Sequence, residues 1–252
     1  MRLSLAFTFV LLASPALAGA VEDLITGVRT ECRGCDLTNA NFKKANLSGV
    51  DLSGANLTGA TFHRAVLKGA NLSGAVAEDA NFNLADLSGA NLDGGKFKGA
   101  MFYEAQLSAA KAAKADFSYT RVQHARLTGT DLAGANLDWS IMKEVRLNNA
   151  NLTGASLAHT NLEKANIGRT KFDETTIDTA GFVQVSGSGA SFVGATIALT
   201  DFYGARLDNA DFSGAVAHDN RFTRAKVDFA AFAPGDLIRN IMPDGRVQGT
   251  GQ

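Results

Sequence analysis

From Leu37 to Leu237 every fifth residue belongs to one register, 41 positions without an insertion. Thirty-seven of these are Leu, Phe, Ile, Val or Met, and the exceptions are Ala77, Ala112, Gly187 and Ala217. Thirteen of the chain's 16 Phe fall in this register. Two residues before each position, the same 41 steps hold 27 Ala, and most of the others are small, such as Thr120, Ser140, Thr160 and Thr200. Residues two apart share one face of an extended chain. A period of five matches neither a helix at 3.6 nor a plain strand at 2, but it suits short extended pieces separated by turns. Asn or Asp precedes many of the large residues (Asn46, Asp51, Asn56), and Ser-Gly or Thr-Gly follows (Ser48-Gly49, Thr58-Gly59), which is turn chemistry. Pro is absent between Pro15 and Pro234, as a ladder that needs every backbone N–H requires.

Ala45-Asn46-Leu47-Ser48-Gly49, Ala70-Asn71-Leu72-Ser73-Gly74 and Ala150-Asn151-Leu152-Thr153-Gly154 resemble the A-(D/N)-L-x-x unit of the pentapeptide repeat family. The resemblance covers Cys35 to Arg239. It implies an all-β fold, a right-handed quadrilateral parallel β-helix with four units per coil. Residues 35–239 then make about ten coils and, at ~4.8 Å per coil, a rod about 50 Å long. Val21, Leu24, Ile25 and Val28 have helical spacing, so residues 19–34 are expected to form a short helical cap on the first coil, and residues 238–252 a C-terminal cap and loose tail, the tail being 240–252.

Residues 1–18 read as a secretory signal peptide: Arg2, a short apolar run from Leu3 to Leu12, then an A-x-A site ending at Ala18. That predicts an exported protein, periplasmic or extracellular, with no transmembrane segment in the mature chain. Lys and Arg number 24 against 25 Asp and Glu, and loss of Arg2 leaves 23 against 25, a net charge of -2. A balance so close to neutral excludes nucleic acid as a partner held mainly by charge. It also bears on the resemblance, which includes cytoplasmic members that mimic DNA and block a topoisomerase. Those members are strongly acidic along the rod and dimerise end to end.

With four units per coil, residues 20 apart stack. Tyr119, Trp139 and His159 then form a ladder of exposed aromatics on one corner, with Tyr103 and His124 nearby. Such a ladder is a candidate binding strip for a glycan, a peptide or a protein; the alternative is that stacked solenoid positions favour like residues for mutual packing. A second ladder, Arg126, Arg146, Arg206 and Lys226, interrupted by Asn166 and Ser186, offers itself to an anionic polymer or headgroup. Its acidic neighbours Glu104, Glu144 and Asp208 favour an ordinary solvated face.

Catalytic constellations are missing from the pattern. Cys32-Arg33-Gly34-Cys35 has no second pair for zinc and no following His for haem, and it is expected to be a disulfide or two small inward residues. His63, His124, His159 and His218 fall on separate coils, without a nucleophile motif beside them. Gly89 to Lys96 fails as a phosphate loop because Lys comes one place late and Phe97 replaces Ser or Thr. The sequence therefore predicts a non-enzymatic exported scaffold without cofactors or metals, whose partner is an unidentified protein or envelope component. A homodimer through Phe229, Phe232, Ile238 and Ile241 of the last coil is a further expectation.

Overall fold

The computed structural model describes residues 15–232 and 236–248. Within this span the five-residue unit is a unit of hydrogen bonding as well as of packing. Leu47 N–H donates to Val66 O (2.7 Å) and Gly49 N–H to Lys68 O (2.9 Å), both in the next coil. Val50 N–H closes the turn on Leu47 O (3.2 Å). Ser48 N–H, the one that the backbone leaves over, is taken by Asn46 Oδ1 at 3.2 Å. In the following coil Val66 N–H donates back to Ala45 O (2.9 Å). Every N–H of the unit therefore has a partner, and the Asn or Asp of the repeat is there to accept the fifth. Where a hydroxyl two residues on adds a second bond, as at Asp36 and Asp211, the carboxyl is also acidified. The Thr38 hydroxyl and N–H hold Asp36 below the usual carboxylate range, and Ser213 does the same for Asp211.

Parallel bridges join residues 20 apart from Glu31↔Asp51 to Arg221↔Ile241, so four units close one coil. The product is a right-handed quadrilateral β-helix. We number its faces by their inward residues: face 1 from Phe42 to Phe222, face 2 from Leu47 to Val227, face 3 from Leu52 to Phe232 and face 4 from Leu37 to Leu237. Inside, the large residues stack coil upon coil. Phe42, Phe62, Phe82 and Phe102 form one column with centroids 4.8–5.0 Å apart. Phe172, Phe192, Phe212 and Phe232 form another at 4.7–4.9 Å. Gly187 is filled by its neighbours: a Cβ there would meet Leu207 Cδ2 at 2.7 Å and Ile167 Cγ1 at 2.8 Å.

The inner small column between faces 4 and 1 changes character along the rod. It runs Ala40, Ala60, Ala80 and Ala100, then Thr120, Ser140, Thr160, Ala180, Thr200, Asn220 and Asn240, all buried. Thr120 Oγ1 donates to Phe117 O (2.6 Å) and Thr160 Oγ1 to Leu137 O (2.7 Å). Asn220 accepts from Thr200 N–H (2.8 Å) and donates Nδ2 to Ile197 O (2.9 Å) and to Asn240 Oδ1 (3.0 Å). These amides take over the N–H groups that a tight turn satisfies elsewhere. Face 4 accordingly opens into true strands, β1 (Thr176–Asp178), β2 (Thr196–Ala198), β3 (Val216–His218) and β4 (Leu237–Ile238), paired in parallel in that order. Ser140 Oγ alone among the described buried side-chain polar atoms has no partner. Ser140→Ala is therefore expected to raise stability by about 1 kcal/mol, since it removes an uncompensated desolvation and matches the column's Ala. Urea unfolding checks this, and a lowered midpoint would contradict it.

The two ends are closed differently. Helix α1 (Pro15–Thr26) buries Leu24 on the first coil, while Val28, read as part of the same apolar stripe, lies past the helix end and is 80% exposed. Residues 1–14 of the segment read as a signal peptide lie outside the described residues. At the other end the ladder runs past Arg239: Ile241 pairs in parallel with Arg221 and antiparallel with Val247, so a hairpin covers the last coil as its C-terminal cap. Phe232 turns inward onto Phe212, leaving Ile238, Ile241 and Val247 as the large exposed apolar residues among those described at that end.

Candidate aromatic corner

Each unit turns its corner on a residue with φ of about +50 to +70°, a region that glycine enters freely and other residues enter at a cost. At the corner between faces 4 and 1, three successive coils put aromatic rings there: Tyr119 (φ 60°), Trp139 (φ 61°) and His159 (φ 56°). The backbone holds each in register, as Tyr119 N–H donates to Asp138 O (2.9 Å) and Trp139 N–H to Ala158 O (2.8 Å). Tyr119 and Trp139 are parallel within 1° at a centroid distance of 6.0 Å, and Trp139 and His159 stack at 3.9 Å. Tyr119 is 53% and Trp139 49% exposed.

Lys98 Nζ sits 5.4 Å from the Tyr119 centroid and closes the free end of the stack. Lys98 was not among the residues that the sequence pattern singled out; its signal is a spacing of 21, one coil back and one residue before the corner. The faces of Tyr119 and Trp139 are thus occupied by neighbours. Among the described residues the Tyr119 hydroxyl and the Trp139 indole N–H have no hydrogen-bond partner, which leaves them as donors for another molecule. Further along, the corner carries Thr179, an exposed Leu199, Asp219 and Arg239. The Arg239 guanidinium (2.7 Å) and then His218 pull the Asp219 carboxyl down to about 2.

Tyr103 lies edge-on to His124 at 5.4 Å on the next corner, and His124 faces Glu144 at 3.5 Å. Cys32 and Cys35 are joined by a disulfide beneath the N-terminal cap, with Arg29 donating to Cys32 Sγ at 3.5 Å. Among the described residues, no group of His, Cys, Asp and Glu is placed to hold a metal ion, and no helix is long and apolar enough to cross a membrane.

The repeat model for pentapeptide repeats matches this chain in eight copies, over overlapping stretches that span residues 35–177 and then 197–228. The chain belongs to the pentapeptide repeat family. Among solved pentapeptide repeat structures, HetL of the cyanobacterium Nostoc, involved in heterocyst differentiation regulation, is 25% identical. That match covers 91% of this chain and 98% of HetL, with a TM-score of 0.36. Trypsin-treated QnrB1, a plasmid-mediated fluoroquinolone resistance protein, is 16% identical over 83% of this chain and 89% of its own, with a TM-score of 0.42. A thylakoid-lumen pentapeptide repeat protein of Arabidopsis thaliana is 32% identical over 44% of this chain and 63% of its own, with a TM-score of 0.24. Scores this low carry no functional argument, and the family assignment rests on the repeat. Among curated proteins, none matches the chain in sequence.

Proposed function

We propose that this pentapeptide repeat protein is a non-enzymatic, exported scaffold whose rigid rod presents the Tyr119–Trp139–His159 corner to a protein partner at the cell envelope. The observation that carries this reading is the run of three half-exposed rings on left-handed corners, where glycine would cost least. Ring orientation favours a protein over a glycan. A sugar stacks on a ring face, and the faces of the two larger rings, Tyr119 and Trp139, are taken by Lys98, by each other and by His159. Half-exposed rings with free O–H and N–H donors suit a peptide surface instead. Export rests on the sequence of residues 1–18.

Mimicry of DNA is less well supported, because basic and acidic residues are mixed along the rod and the chain's net charge is only -1. A second copy at the C-terminal end would have Ile238 and Ile241 to bury, but not Phe232.

The test is Trp139→Gly, which suits the left-handed corner and should leave the melting temperature unchanged within about 2 °C. Retention of a protein from an envelope extract is expected to fall at least about tenfold, the scale of one missing aromatic hot spot. Equal retention by both forms would refute the assignment.

A further inference from the structure

Face 2 carries Arg126, Arg146, Arg206 and Lys226 on one column, bridged in register through Asn166 and Ser186. Cations one coil apart, at ~4.8 Å, repel each other by about 1 kcal/mol in water and by more beside a low-dielectric rod. Elsewhere the rod relieves such charges with acids: Lys68–Asp86 (3.2 Å), Lys143–Glu163 (2.7 Å), Arg239–Asp219 (2.6 Å). Among the described residues no ion pair includes Arg126, Arg146, Arg169, Arg206 or Lys226. Acids close in sequence are engaged by others: Glu144 faces His124 (3.5 Å), Glu163 holds Lys143, and Asp228 accepts the Ala230 N–H (3.0 Å). Glu104 and Asp208 are the remaining acids beside the column, and neither pairs with any of the five.

The break in the ladder has a shape of its own. Where Arg146 and Arg206 flank the coils of Asn166 and Ser186, the surface sinks into a recess of about 390 Å³. Its lining includes Asn148, Asn166, Ser186, Ser188 and Asn209, with Arg169 at the corner. Gly168 makes the room: a Cβ there would lie 3.1 Å from Asn148 Nδ2, which donates to Asn166 Oδ1 at 2.6 Å. The volume is at the small end of ligand pockets, roughly 300–1,000 Å³. Three coil steps, about 14 Å, separate the Arg rungs on either side.

We propose that face 2 binds a linear acidic polysaccharide, one sugar acid seated in the recess and the charges of neighbouring sugars on Arg146 and Arg206, with Arg126 and Lys226 extending the track. Charges in line match a linear polyanion, and the amides and hydroxyls of the recess match sugar hydroxyls. A single-stranded nucleic acid would need rings to stack its bases, and the outward positions of face 2 from Gln106 to Asp228 carry none. This site is separate from the aromatic corner, and either can fail without the other.

The experiment titrates the full chain with a fluorescent polygalacturonate oligosaccharide at low salt. A neutral dextran oligosaccharide and an oligothymidylate of equal charge serve as controls. Polygalacturonate is expected to bind more tightly than both. Arg146→Gln with Arg206→Gln, a side chain that Gln106 already carries in this column, is expected to weaken binding about a hundredfold, tenfold for each guanidinium removed. Ser188→Tyr fills the recess at the place in the five-residue unit that holds Tyr103 and Tyr203 on face 1. It is expected to weaken polygalacturonate about tenfold and leave the weaker oligothymidylate binding unchanged. Melting curves establish that each variant is folded. Absence of polygalacturonate binding, binding unaffected by the double substitution, or oligothymidylate bound as tightly would each overturn the proposal.

Discussion

Phe192→Ala is expected to destabilise the C-terminal half of the rod by about 3–5 kcal/mol and to split its unfolding into two steps. The ring is fully buried between Phe172 and Phe212, with centroids at 4.9 and 4.7 Å and planes within 7°. Removing it forfeits the transfer free energy of the side chain and leaves a void between two flat rings that the fixed coil spacing cannot close. Gly187, five residues earlier, is tolerated because Ile167 and Leu207 are branched and fill its place. Phenylalanine rings held parallel have no such reach. In a solenoid each coil touches only its neighbours, so the damage stays local. Hydrogen exchange in urea is expected to show residues from about 192 onward losing protection before the coils of Phe42 to Phe102. Simultaneous loss of protection throughout would mean that the rod is more cooperative than nearest-neighbour packing allows.

Asn220→Ala is expected to cost a similar amount for a different reason. The Asn220 side chain accepts from Thr200 N–H and donates to Ile197 O and Asn240 Oδ1, all of it buried. Alanine strands the Thr200 N–H and the Ile197 carbonyl without water, at about 1–3 kcal/mol each before relaxation, while Asn240 Oδ1 keeps the residue 220 N–H, so a total of about 3–5 kcal/mol is expected. Asn220→Thr is expected to recover part of the loss, because Thr200 Oγ1 already accepts from Ala180 N–H one coil below (3.4 Å). Thermal melting should order the three as Asn, Thr, Ala, with Tm falling by about 2–4 °C per kcal/mol in a chain of this size. If Ala equalled Asn, the amide column would not be what holds the wider turns of face 4.

The two expectations differ in how far the sequence announces them. The Phe columns follow from the register alone, because a large side chain at every fifth position with a small one two before it can be buried only by stacking. The amide column does not. Thr200 reads simply as a small residue in an Ala position, and Asn220 and Asn240 interrupt the same pattern without saying which N–H they serve. Only the coil geometry makes the carbonyl 23 residues earlier a neighbour.

The aromatic corner divides in the same way. A spacing of 20 places Tyr119, Trp139 and His159 together, yet the direction of their faces, and the Lys98 ammonium over Tyr119, depend on backbone twist and rotamers that no spacing encodes. On face 2 the cation ladder is legible, whereas the recess between its halves exists because side chains at two corners and two flanking positions are short at once. At the N-terminus helical spacing finds Leu24 but carries too far, since the helix ends at Thr26 before Val28 can turn inward.

The most direct test of the scaffold reading is photo-crosslinking in the producing cell, with a photoreactive phenylalanine analogue placed at Trp139 or, as a control on face 3, at Ser53. The account predicts one discrete crosslinked protein from position 139, found outside the cytoplasm, and none from position 53. A chain retained in the cytoplasm, or equal crosslinking from both positions, would contradict it.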